Sequence, residues 1–172
     1  MAQTKGVSTN SLSQWFLTFV PLTKKEYFKM EKVKVYKAGS LPSNRAPERN
    51  FTGEVLISNY FVSEKPSYLV GARATFKPGA RTPWKINPLG QTLIITDGIG
   101  WAQCEGEEIF EVSAGDIVQF PPEKKHWDGA VPHSTLTYIA LHEMKDGNAV
   151  RFLDRVTDNE YSKGNILLRS KF

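Results

Sequence analysis

The sequence predicts an all-β fold, an antiparallel double-sheet barrel with a short C-terminal helix, and three observations carry that expectation. Short runs rich in Val, Ile, Phe and Tyr follow one another from Gly53 to Glu143. They are separated by turn signals such as Lys77-Pro78-Gly79, Asp97-Gly98 and Ser113-Ala114-Gly115, a spacing that favours a sandwich or barrel over alternating strands and helices. Near the end, Thr157-Asp158-Asn159-Glu160 has the capping-box pattern that starts a helix.

Composition sets the bounds. A chain of 172 residues, 40% hydrophobic and 23% charged, is ordinary globular material for one domain with extensions. The net charge of +4 comes from scattered lysines and arginines that do not interleave with aromatics. That argues against a nucleic-acid surface, although a basic cleft for an anion stays open. The single cysteine, Cys104, excludes an internal disulfide framework and reads as a structural strand residue. The N-terminal run Trp15 to Leu22 is too short to span a bilayer, and its flanks lack the order of a secretory signal. Residues 1–32 are therefore expected to be a loosely ordered extension, with Met30 an alternative start, 33–162 the barrel and 163–172 a tail. A cytoplasmic small-molecule protein is expected, without membrane or nucleic-acid partners.

In chain order, Val33 and Val35 alternate with lysines and predict a short edge strand. Residues 38–50 carry Gly39, Pro42, Asn44, Pro47 and Asn50, which is loop chemistry. Gly53 to Val62 and Tyr68 to Phe76 are strands joined by Glu64-Lys65-Pro66-Ser67. Gln91 to Thr96 follows the turn Pro88-Leu89-Gly90, and a separate short strand, Gly100 to Cys104, follows Asp97-Gly98. Glu108 to Val112 and Asp116 to Phe120 flank a glycine turn. Pro121-Pro122 stops the chain before His126 to Val131 and Ser134 to Glu143 complete the sheet.

Polar residues interrupt this apolar pattern in two places. Lys85 and Asn87 share one face by the strand period of two, and Gln91 opens the next strand beside them. After a glycine turn at Gly115 and the prolines, His126 starts another strand. Four polar side chains thus converge inside a small barrel, where burial is costly unless they bind something or one another.

These stretches resemble the paired motifs of the cupin superfamily. The first is Gly79, Lys85 and Asn87, Gln91, then Gly98; the second is Gly115, Pro121, then His126; 16 residues separate them. Pro88-Leu89-Gly90-Gln91-Thr92-Leu93-Ile94-Ile95-Thr96, Gly100-Trp101-Ala102-Gln103, Pro122-Glu123-Lys124-Lys125-His126-Trp127 and Val156-Thr157-Asp158 are similar to a subgroup of small single-domain bacterial cupins. That subgroup resembles or accompanies carboxymuconolactone decarboxylases and includes manganese-dependent hydroxynitrile lyases. The resemblance implies a double-sheet jelly-roll over roughly 53–156, a homodimer, and lyase-like action on a small carbonyl, hydroxyacid or nitrile-type substrate.

Departures from the family pattern fall on its chemistry. The first two metal-ligand positions, histidines in the family, are Lys85 and Asn87; Glu123 and Ala130 replace a glycine and an asparagine. A pocket histidine and glutamine of the lyases become Tyr138 and His142. Gln91 and His126 keep the family's ligand types, a weak pair for a divalent ion beside a cationic lysine. No tightly bound metal is expected, and Mn, Fe, Ni or Zn if any. Lys85, His126, Tyr138 and His142 are the catalytic candidates, and Thr82, Lys85, Asn87, Gln91 and His126 the substrate-binding ones. Lys85 offers charge, a neutral amine for Schiff-base chemistry, or nothing if it snorkels to the barrel mouth. His142 reads equally as pocket or core, His133 as surface. The alternative function is a metal-free cupin that holds a small anion against Lys85 without catalysis.

Overall fold

The structure, a computed structural model, describes residues 32–166. The N-terminal run Trp15 to Leu22 and the end of the tail lie outside them. Residues from Tyr36 onward make up the unit that carries the barrel.

Among the described residues, ten strands, all paired antiparallel, form one continuous sheet that curls into two faces. They are β1 (Ser43–Arg45), β2 (Val55–Val62), β3 (Leu69–Phe76), β4 (Lys85–Ile86), β5 (Gln91–Cys104), β6 (Phe110–Ser113), β7 (Ile117–Phe120), β8 (His126–Ala130), β9 (Leu136–Glu143) and β10 (Arg151–Phe152). The short helix α1 (Asp158–Ser162) follows. Thr157 caps it as the sequence predicts: its Oγ1 accepts from Glu160 N at 3.1 Å, and Thr157 N donates to Glu160 Oε2 at 2.7 Å.

β5 holds the two faces together. Its first part, Gln91 to Gly98, pairs with β7 and β9, and its second, Ile99 to Cys104, with β6 and β8. The sequence splits this 14-residue strand at Asp97-Gly98. In the structure those residues make a bulge, with the register shifting between Ile95 and Asp97, and the strand changes face without ending. Gly98 has φ +78°, and a Cβ there would lie 1.9 Å from the Thr135 carbonyl oxygen, so the crossing needs glycine.

Two apolar clusters follow from this layout. One fills the barrel between the faces, with Val55, Phe76, Leu93, Ile95, Phe120 and Leu136 at 3% exposure or less. The other lies on the opposite side of β5 and β8, where Trp84, Trp101, Trp127, Val131, Val156 and Tyr161 pack together beneath α1. Trp84, Trp101 and Trp127 are thus core.

Three expectations need correction. Val33 and Val35 join no strand and are 89% and 67% exposed; alternation with lysine makes a strand only where there is a surface to bury the valines. Ser43–Arg45, read as loop, is an edge strand pairing with β2 while exposed throughout, so no side-chain pattern announces it. β10 pairs with β4 over only two residues and extends the sheet past Glu143.

Candidate active site

Lys85 stands on β4 directly across from His126 on β8. Its ammonium Nζ lies 2.5 Å from Asp128 Oδ1, and both side chains are buried, at 3% and 1% exposure. The other carboxylate oxygen, Oδ2, accepts from the Tyr138 hydroxyl at 2.6 Å. The backbone of Asp128 is fixed too: its N–H donates to Thr82 Oγ1 at 3.2 Å, and its carbonyl accepts from Thr82 N at 2.9 Å. A lone buried carboxylate costs several kcal/mol, roughly; here both oxygens have donors and one donor is a cation. Burial, and after it the charge and hydrogen bond of Asp128, hold the Tyr138 hydroxyl well above its usual pKa. Tyr138 therefore stands as a hydrogen-bond donor to Asp128. The Lys85 amine is engaged by Asp128, which leaves no free amine for Schiff-base chemistry, and it does not snorkel outward.

A second polar chain runs beside the first. The Gln91 amide lies between two imidazoles, 3.3 Å from His126 Nε2 at one end and 3.3 Å from His142 Nδ1 at the other. His126 is fully buried, stacked on Phe120 at 3.9 Å with an interplanar angle of 13°. Its Nδ1 lies 2.8 Å from the Lys124 carbonyl oxygen, which can only accept. Desolvation, then the positive charge of Lys85, lowers the His126 pKa to about 4 against the weaker opposing pull of the Lys124 carbonyl and Asp128. The same two causes lower His142 to about 4. Both rings are neutral at pH 7, so each carries one N–H.

Neutrality fixes the direction of the chain. The structure places Gln91 Oε1 toward His126 Nε2 and the Gln91 NH₂ toward His142 Nδ1; a neutral His126 that donates from Nδ1 to Lys124 accepts at Nε2, which calls for the reverse placement, with the NH₂ toward His126. The two ends of an amide are isosteric and hydrogen bonding sets which way it points. Gln91 then presents its carbonyl to His142, which donates from Nδ1 and keeps the Nε2 lone pair free. Gln91 and His142, with Leu89, Phe120, Leu141 and Glu143, line a cleft of about 560 Å³. Only the half-buried His142 of the two histidines borders that cleft.

The remaining candidates fall away from this centre or play supporting parts. Thr82 holds the Asp128 backbone and is itself buried. Asn87 Nδ2 donates to the Ala149 carbonyl at 2.8 Å, while its fully buried Oδ1 has no partner among the described residues. Burial, then Glu107, pushes the Cys104 thiol up, as suits a core residue. His133 is on the surface.

Asp128 is the residue that the sequence reading missed. The signal was present, since a strand that begins at His126 and faces it inward faces residue 128 inward as well.

A divalent ion does not fit this donor set. It would meet two imidazoles already engaged with Gln91, the neutral amides of Gln91 and Asn87, and an ammonium already paired with a carboxylate. Among the described residues no three His, Cys, Asp or Glu side chains come together to hold a metal.

The curled ten-strand antiparallel sheet, with its polar cluster drawn from β4, β5, β8 and β9, defines a barrel protein of the cupin class, and the chain belongs to that family. It is 45% identical over 131 residues to the (R)-mandelonitrile lyase of Granulicella tundricola, a match covering 76% of this chain and all of that enzyme. A cupin-like protein from Thermotoga maritima superposes with a TM-score of 0.65 at 32% identity, covering 76% of this chain and 96% of that one. A predicted oxalate decarboxylase from the same organism shares the fold at 18% identity, with a TM-score of 0.55 over 70% of this chain and all of that chain. No family model matches the sequence. No helix among the described residues is long and apolar enough to cross a membrane.

Proposed function

We propose that this cupin is a metal-independent lyase that cleaves a small α-hydroxy substrate of the cyanohydrin type, with His142 as the proton carrier. The observation that carries this reading is the hydrogen-bonded chain His126–Gln91–His142, whose half-buried end at His142 lies on the wall of the cleft. The Granulicella relative, an (R)-mandelonitrile lyase, supplies the reaction class. His142 Nε2 takes the proton of the substrate hydroxyl; the oxygen's electrons form the carbonyl; the adjacent carbon–carbon bond breaks and its pair leaves with cyanide. The proton then passes from the imidazolium to cyanide, so a cyanohydrin becomes an aldehyde and hydrogen cyanide. A pKa near 4 makes the imidazole a modest base but the transient imidazolium a strong acid, suited to that second transfer.

The non-catalytic anion holder is less well supported, because the charge of Lys85 already has Asp128 beside it.

The assay is release of benzaldehyde and cyanide from mandelonitrile by the purified chain, with and without EDTA. Turnover that survives EDTA and falls about 100-fold or more in His142→Asn is the expected outcome. Absence of turnover, or turnover that appears only with added manganese, overturns the reading.

A further inference from the structure

The charge balance around the barrel makes a demand on the ligand beyond its hydroxyl group. Lys85 and Asp128 cancel one another at 2.5 Å, both nearly inaccessible to water. At longer range such a pair acts as a dipole, whose influence fades faster with distance than that of a single charge. The cleft in front of Gln91 is lined by no lysine or arginine, and the only acidic side chain on its wall is that of Glu143. An anion entering there finds no counter-charge and one like charge.

We propose that this site selects an uncharged α-hydroxy ligand and rejects the corresponding α-hydroxy carboxylate, and that the Lys85–Asp128 ion pair sets this choice. The proposal rests on the reading above that the ligand is a small α-hydroxy compound, and it narrows that class by charge. Asp128 is then a specificity determinant that does not itself touch the ligand. Its carboxylate cancels the one positive charge that would otherwise draw anions into the barrel. Without it, the same fold becomes the anion holder that Lys85 alone suggests.

The test compares two probes of one shape, (R)-mandelamide and (R)-mandelate, by calorimetric titration of the full chain at neutral pH. Wild type is expected to bind the amide about tenfold or more tightly than the carboxylate. In Asp128→Asn, which keeps the shape but removes the negative charge, the order reverses. In Lys85→Gln/Asp128→Asn, which has neither charge, the amide again leads. Near-UV circular dichroism establishes that each variant keeps its packing. Wild type binding mandelate as tightly as mandelamide overturns the proposal alone and leaves the α-hydroxy reading in place; so does an unchanged order in a folded Asp128→Asn. Binding of neither probe to wild type overturns the α-hydroxy reading and this proposal with it. The wild-type comparison decides even if Asp128→Asn does not fold.

Discussion

The two faces of β8 are equally buried and chemically opposite. His126 and Asp128 look into the barrel, where their side-chain polar atoms are held by Gln91, Lys85 and Tyr138 from other strands and by the Lys124 carbonyl from the loop before β8. Trp127 looks the other way, into an aromatic layer with Trp84 at 6.5 Å and Tyr161 at 6.0 Å between ring centroids. The outer layer is stabilised by area, roughly 25 cal/mol for each Å² of apolar surface withdrawn from water, and by aromatic edge contacts. Its losses scale with the atoms removed. The inner layer is stabilised by complementarity in a low-dielectric space, where a charge is either matched or very costly. The same degree of burial thus gives two different responses to substitution.

The sharpest way to separate them is rescue. Lys85→Met strands the Asp128 carboxylate and is expected to destabilise the fold by about 3–5 kcal/mol in urea unfolding. Lys85→Met/Asp128→Leu removes both charges and should recover most of that loss. Trp127→Ala costs a comparable amount, about 3–5 kcal/mol, but no second substitution in the aromatic layer restores it. Equal damage in the single and double charge variants would break the comparison.

Acid probes the inner face selectively. His126 and His142 have folded-state pKa values near 4, below the ordinary histidine value of 6.5. The unfolded chain therefore binds more protons than the folded one between those limits, and stability rises with pH there. The stabilisation is complete above about pH 6.5 and declines as pH falls toward 4. A melting temperature that is flat across this window in wild type, or that loses its slope only when His133 is replaced, contradicts the assignment.

The outer layer's own supports give smaller effects. Thr157→Ala removes the cap of α1 and should cost about 1 kcal/mol. Asp158→Asn breaks the ion pair with Arg81, 2.6 Å long but 96% exposed on the Asp158 side, and should cost less than about 1 kcal/mol. Both are read by thermal unfolding, with the cap the larger of the two.

Most of the fold was legible because its signals are local. Gly98, Gly115 and the Pro121-Pro122 pair mark the corners, and the interval from Gly79 to His126 matches a known motif spacing. The capping box at Thr157 identifies the helix. What escaped were features whose cause lies across the sheet. β8 is buried on both faces, so the period of two places Asp128 on the face of His126 but does not by itself say that the carboxylate is buried and paired. The pairing with Lys85, 43 residues earlier, exists only once β4 and β8 are neighbours. Lys85 was recognised as a site residue but given a free charge, since its counter-ion had not been seen. Val33 and Val35 misled for the complementary reason, a local pattern with no surface to meet.

The Lys85–Asp128 pair also bears on how this barrel can change. To exchange the pair for two uncharged or metal-binding residues, a lineage must alter positions on two strands. Either single step leaves a buried charge unmatched, at about 3–5 kcal/mol against a total stability of about 5–15 kcal/mol for a domain of this kind. Most one-step intermediates are thus close to unfolding. The residues that tune the chemistry are held in place less by how well each performs than by the absence of a passable route away from them, and a directed-evolution library that varies 85 and 128 together will reach pockets that sequential mutation does not.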